Sequence, residues 1–105
     1  MSQFEKATVI QNANVFFDGK CVSHTVYTEN GEKKSVGVIL PGVRLAFNTS
    51  TPETMDCVAG RCRARLPDAA DFKEFGAGES FSVKAGETFE IEAIDGPYHY
   101  VCHFS

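Results

Sequence analysis

A chain of 105 residues is one domain's worth, enough for a single modest core and too short for two domains or a crossover-rich α/β fold. At 43% hydrophobic and 23% charged residues, its composition excludes disorder and collagen-like or coiled-coil architecture. Ten Lys and Arg against fourteen Asp and Glu give a net charge of -4, which argues against a polyanion-binding surface and against nucleic acid as the main partner.

The first twenty residues carry no basic start followed by an apolar run, and no stretch approaches the roughly eighteen apolar residues of a spanning helix. Secretion and membrane insertion therefore fall away, and the cytoplasm is the expected location. Residues 1–13 lack clear periodicity and read as an N-terminal arm or edge strand, with the folded domain spanning 14–105. From there turn signals recur at Asp18-Gly19, Asn30-Gly31, Pro41-Gly42, Ala59-Gly60, Pro67-Asp68, Gly76-Ala77-Gly78, Ala85-Gly86 and Asp95-Gly96-Pro97. They leave pieces of about 6–10 residues, the size of strands.

Asn30-Gly31 predicts a hairpin between Ser23–Tyr27 and Ser35–Ile39, with positive φ in its turn. Val43, Leu45 and Phe47 alternate as in a half-buried strand, and Thr49 continues their face. Farther on, Cys62, Ala64 and Leu66 form the natural inward set, which turns Arg61, Arg63 and Arg65 outward, as Val43 and Leu45 do Arg44. Pro67 to Phe75 has helical flavour but length for barely two turns, so it reads as a connector. Ala77-Gly78-Glu79-Ser80-Phe81 is echoed eight residues later by Ala85-Gly86-Glu87-Thr88-Phe89, two similar strands joined by a Gly turn. The last strand places Tyr98, Tyr100, Cys102 and Phe104 on an inward face and His99, Val101 and His103 on the other. An all-β sandwich or barrel follows.

Cys21, Cys57, Cys62 and Cys102 show no C-x-x-C spacing, so free thiols are expected. Cys102 reads as a small buried hydrophobe, because no histidine shares its face to act as a base. His99 and His103, four residues apart on an extended chain, stand about 13 Å from each other and cannot share a metal.

Glu53, six residues and Gly60 match the tail of the first cupin motif, and Gly78, five residues, Lys84, one residue, Gly86, two residues and Phe89 follow the outline of the second. The chain thus resembles a small single-domain cupin, a double-stranded β-helix related to jelly-roll barrels. In metal cupins these motifs carry histidines. Counting back from Glu53 puts Phe47 and Thr49, or Ala46 and Asn48, at the first pair and Phe89 at the last, so no metal site is expected.

The run Asn14-Val15-Phe16-Phe17-Asp18-Gly19-Lys20, Ser35–Val38, Pro52–Met55, Leu66–Phe72 and Tyr100-Val101-Cys102 resembles the small bacterial pyrimidine/purine nucleoside phosphorylases over about residues 14 to 105. That resemblance implies reversible, broad-range phosphorolysis of nucleosides to free base and ribose 1-phosphate. It also implies a homodimer without metal or cofactor, with inorganic phosphate as co-substrate. Such chemistry needs a hold on phosphate, acceptors for ribose hydroxyls and tolerant stacking for the base. Under this reading Glu53 and Thr49 are the catalytic candidates, and Phe47, Phe89, Tyr98, Tyr100 and Lys84 the substrate-binding ones. The residues alone leave open a non-catalytic cupin that binds or senses a small molecule, and also a metal-dependent isomerase or dioxygenase, which the missing histidines strain.

Overall fold

In the computed structural model, which describes residues 3–105, the alternating segments form nine strands. They are β1 (Thr8–Val9), β2 (Asn14–Phe16), β3 (Cys21–Tyr27), β4 (Lys33–Ile39), β5 (Leu45–Asn48), β6 (Glu53–Arg65), β7 (Lys73–Gly76), β8 (Ser80–Val83) and β9 (Thr88–Phe104). The sole helical element among the described residues is a 3-10 turn at Phe17–Gly19. Every pairing is antiparallel.

The long strands β6 and β9 pair with each other and organise the rest. Glu53–Cys57 of β6 lies between β8 and the C-terminal part of β9, which continues through β4 to β3 and its partners β1 and β2. Arg61–Ala64 of β6 lies between β7 and the N-terminal part of β9, which continues to β5. Two bulges, between Cys57 and Ala59 and between Ala59 and Arg61, separate these halves. Bulges of this kind bend a strand so that one chain serves two packed layers. Ring contacts between the halves, Phe75 with Phe81 at 4.8 Å, Phe81 with Phe89 at 5.8 Å and Phe17 with Phe47 at 5.3 Å, show that they face each other.

Gly60 makes the corner possible. Its φ is +79°, and a Cβ there would lie 2.4 Å from the Pro97 carbonyl oxygen. The facing segment of β9 turns at Asp95, Gly96 and Pro97, with Asp95 and Gly96 at positive φ.

Local chemistry accounts for the other turns. Gly31 takes φ +84° in the β3–β4 hairpin. The repeated Ala-Gly-Glu is a turn device used twice: Glu79 Oε1 accepts from the Gly76 N–H at 2.7 Å and Glu87 Oε1 from the Lys84 N–H at 3.0 Å. The strands that follow the two turns are consecutive but unpaired with each other, β8 joining β6 while β9 joins β4, β5 and β6. Residues 67–72 form no helix; Ala69 N–H closes a turn on the Leu66 carbonyl at 3.0 Å and β7 starts at Lys73.

The inward sets of β6 and β9 are buried as the alternation predicts. Cys62, Ala64, Ile91, Ala93, Tyr98, Tyr100 and Cys102 join Cys21, Ile39, Leu45, Phe75 and Phe81 in one core. Arg61, Arg63, Arg65 and Arg44 face outward and pair with Glu74, Glu92, Glu90 and Glu92 respectively. From the expected N-terminal arm, β1 adds a two-residue edge to β3, and His24 Nδ1 lies 3.2 Å from the Ile10 carbonyl oxygen.

Candidate functional site

Register across the first half decides which side chains meet. Directly paired residues on one face of a sheet are neighbours. One row runs Asn14, Ser23, Gly37, Tyr100, Cys57, and the next Thr25, Ser35, Cys102, Met55, Phe81. One step beyond the Lys34–His103 pair, Lys33 falls opposite Phe104, which pairs with Glu53. All of these row residues but Gly37, Cys57 and Phe81 line one wall of a cavity of about 290 Å³, and Phe16, Phe47, Asn48 and Phe89 supply much of the rest. The volume lies near the lower end for small-molecule sites.

Gly37 is the gap in the wall. A Cβ there would fall 2.7 Å from the Tyr100 hydroxyl oxygen, so the bare glycine lets the tyrosine ring cross the strand and share a hydrogen bond with Cys21 Sγ at 3.4 Å. Burial, together with Cys21, holds the Tyr100 phenol well above its ordinary range, so it stays protonated.

Glu53 is the one acidic residue among the described residues lining the cavity. Partial burial raises its carboxyl above the usual range, opposed by the hydrogen bond from Cys102 and by the charge of Lys33. Cys102 Sγ donates to Glu53 Oε1 at 3.4 Å. Burial raises the Cys102 thiol strongly, and the Glu53 carboxylate adds to this, so Cys102 serves as a donor and is no nucleophile.

On the opposite side Phe47 stacks on Phe89 at 5.7 Å, with interplanar angle 25°, while Phe16 and Phe17 meet Phe47 edge-on at 6.0 and 5.3 Å. Phe89 is buried behind Phe47, which keeps a half-buried face, and Phe16 is exposed at the rim. The cavity is therefore amphipathic: an aromatic floor faces a wall of hydroxyl groups, one amide, one cation and one carboxylate.

Four expected site residues converge here: Glu53, Phe47, Phe89 and Tyr100. Thr49, Tyr98 and Lys84 do not line this cavity. Lys84 is exposed at the β8–β9 turn. Tyr98 is 0% exposed, shares a hydrogen bond with Cys57 Sγ at 2.8 Å, and helps to fill the core beside Cys62, whose thiol burial pushes up to about 12.

Thr49 points along the expected face but spends its hydroxyl on the second Ala-Gly-Glu turn. Its Oγ1 donates to the Lys84 carbonyl at 2.6 Å and accepts from the Glu87 N–H at 3.1 Å, standing where a direct turn bond would close. Thr49→Val is accordingly expected to cost about 1–3 kcal/mol of stability, because it removes two part-buried hydrogen bonds to the turn backbone worth about 0.5–1.5 kcal/mol each, with kcat unchanged at a temperature where both proteins are folded. Denaturant melts beside steady-state kinetics check this, and a loss of kcat in the folded variant would return Thr49 to the active site.

The sequence reading missed most of the polar lining: Asn14, Ser23, Thr25, Lys33 and Ser35 on the wall, and Asn48 beside the aromatic floor. Ser23, Thr25 and Ser35 share the strand phase of Cys21 and Ile39, both 0% exposed, but the sequence does not show that this phase of β3 and β4 faces in.

The donor set does not fit a metal ion. Among the described residues lining the cavity Glu53 is the one carboxylate, beside a protonated thiol, and no group of three His, Cys, Asp or Glu is placed to share an ion, whereas transition metals want three or more N, O or S ligands. The histidines of β9 lie on the other face of the sheet, His99 exposed and His103 Nε2 donating to Asp56 Oδ2 at 2.6 Å, beside a second cavity of about 750 Å³ that Phe4 also lines. Among the described residues no helix is long and apolar enough to cross a membrane.

Residues 11–104 match a family described as pyrimidine/purine nucleoside phosphorylase. The chain is 57% identical over 104 residues to a protein of that name from Thiobacillus denitrificans, covering 99% of both chains. A solved protein of unknown function from Acinetobacter sp. ADP1 superposes with TM-score 0.94 at 45% identity, covering 98% of both chains. A variant of Bacillus subtilis oxalate decarboxylase, 12% identical, superposes with TM-score 0.76 over all of this chain and 30% of its own. That last likeness concerns the fold alone, which is the cupin fold.

Proposed function

The chain belongs to the pyrimidine/purine nucleoside phosphorylase family, and from that premise we propose that its cavity carries out reversible, broad-range phosphorolysis of purine and pyrimidine nucleosides. The observation that carries the reading is the aromatic floor of Phe47 and Phe89, with Phe16 at its rim, facing the single carboxylate of Glu53. A purine or pyrimidine presents a π face that an aromatic ring accepts without reading its edge. Few polar groups then depend on one particular base, so a second base leaves none of them unpaired.

In the reaction a phosphate oxygen bonds to C1′ as the C1′–N bond breaks, and the electron pair leaves on the base nitrogen. The proton of hydrogen phosphate ends on that nitrogen through solvent, which balances the exchange. Positive charge develops on the sugar near the transition state, by analogy with glycoside hydrolysis. Ionised Glu53 accepts from a ribose hydroxyl and stabilises that charge; the Cys102 thiol holds the carboxylate in place.

The reading includes a homodimer in the cytoplasm. Four buried free thiols fit a reducing compartment, and exposed Val36, Val58 and Phe4 give the sheet's outer face apolar surface for a partner copy. Light scattering of the dilute protein reads the assembly.

Chelator-treated protein incubated with uridine and adenosine is expected to release both bases and ribose 1-phosphate only when inorganic phosphate is present. Chromatography reads the products. Silence from folded protein would favour a non-catalytic binding cupin, and release without phosphate would make the enzyme a hydrolase.

A further inference from the structure

The geometry points to a phosphate subsite on the β3–β4 hairpin, in which the Lys33 ammonium and the Thr25 and Ser35 hydroxyl groups hold the anion and Asn14 orients the Thr25 hydroxyl toward the cavity. This assignment rests on the phosphorolysis reading and adds to it the place of the second substrate.

Charge selects the residues first. Among the described residues lining the cavity, Lys33 is the one cation. The arginines that alternation arrays on β6 are engaged on the outer surface: Arg61 with Glu74, Arg63 with Glu92 at 3.1 Å, and Arg65 with Glu90. Arg44 stacks on Phe72 at 4.3 Å and reaches Glu92 at 3.7 Å. None of the four lines the cavity.

Lys33 and Glu53 sit on strands separated by β9, with Phe104 between them, and the Lys33 Nζ lies 4.7 Å from the centre of the Phe104 ring. Two strand spacings amount to about 10 Å. The phenyl ring thus divides the row into a cationic end and an anionic end. An anionic co-substrate belongs at the first, and a sugar hydroxyl, which donates, at the second.

Hydrogen-bond polarity supports the same division. Phosphate offers mainly acceptor oxygens, so its wall must donate. Thr25 and Ser35 are direct cross-strand partners two pairs along the hairpin from Lys33, on the same face of the sheet, and face the cavity. The Asn14 amide nitrogen donates to Thr25 Oγ1 at 3.2 Å and to Ser23 Oγ at 3.4 Å. An amide nitrogen has no lone pair to offer, so Thr25 accepts from it and keeps its own proton for a ligand. Asn14 is therefore a positioning residue, acting on the anion through Thr25.

Lys33 is exposed at the start of β4, so its removal leaves the fold intact. Losing one charge-assisted contact worth about 1.5–3 kcal/mol corresponds to a roughly 10–100-fold weaker hold on phosphate. Steady-state kinetics of Lys33→Ala should show the KM for phosphate raised by that factor with the KM for uridine within about twofold, and Lys33→Arg should recover most of the loss. Thr25→Val and Asn14→Ala should each raise the phosphate KM, and the double variant should be no worse than Thr25→Val alone. Binding of inorganic phosphate to the unmodified protein, followed by ³¹P line broadening without nucleoside, separates the two readings. Phosphate binding lost in Lys33→Ala, with no base released by the unmodified protein, supports the subsite while phosphorolysis fails. Active enzyme whose phosphate KM is indifferent to Lys33→Ala, or unmodified protein that binds no phosphate, overturns the subsite.

Discussion

Glu53→Gln is expected to lower kcat by about 10²–10³-fold while the protein stays folded, the range found when one charge-stabilising group is lost from a preorganised site. Glutamine keeps the size of the side chain and can still accept from the Cys102 thiol, so the cavity survives while the negative charge disappears. Unchanged kcat would remove Glu53 from the mechanism.

The pH dependence carries a second signature of the same residue. Burial raises the Glu53 carboxyl, so the folded protein favours its protonated form more than the unfolded chain does. The favourable contribution is fully present below the unfolded carboxylate pKa, about 4.3, and is lost as pH rises through the higher folded value. Glu53→Gln does not titrate, so its stability relative to the native protein should grow as pH rises through that window and then level off. Activity runs the other way. In the proposed mechanism the ionised form acts, so the acid limb of the native kcat profile should lie above the ordinary carboxylate range and vanish in the variant. Thermal melts and kcat profiles over the same pH series measure both.

Gly60→Ala is expected to be the most damaging small substitution in the chain, costing about 3 kcal/mol or more. Two effects coincide at this position. An L side chain at φ +79° is strained, and its Cβ would lie 2.4 Å from a backbone oxygen, that of Pro97, which cannot swing aside as a side chain would. Gly42 provides the control, since it has φ +107° but nothing within 4 Å of its Cβ position. Gly42→Ala should suffer the conformational penalty alone, about 1–2 kcal/mol. For a domain of this size each kcal/mol moves Tm by about 4–8 °C, so the two variants separate clearly in a melt. Equal losses would mean that the approach to Pro97 does not matter.

Much of the architecture was legible because turn chemistry is local. Gly31, Gly78 and Gly86 all take positive φ where the sequence places turns, and the repeated Ala-Gly-Glu proves to be one hydrogen-bonding device used twice. The inward faces of β6 and β9 also followed from alternation, with Tyr98, Tyr100 and Cys102 buried as expected.

The site was harder to read, for two physical reasons. Alternation assigns the apolar phase to the interior, but the cavity wall on β3 and β4 inverts the rule: Ser23 and Ser35 are 3% and 8% exposed while Val36 is 40% exposed. A polar ligand cavity demands polar inner residues, and no periodicity separates that demand from a solvated face. Inward direction also does not reveal what a hydroxyl finds on arrival. Thr49 and Tyr98 both point in, yet one ties a turn and the other meets Cys57. Those partners are 35 and 41 residues away along the chain.

The sharing of β6 and β9 between both layers has a kinetic side. Neither layer holds a complete set of strands without the other, so no half of the molecule is a unit that can open while the rest persists. Folding must close long loops before its main ladder forms, which places the chain among slow, topologically demanding folders. Amide protons along both long strands should therefore exchange with solvent together, through global opening, whereas the two-residue edge at Thr8–Val9 frays on its own. The walls of the proposed nucleoside and phosphate site rise and fall in one cooperative event.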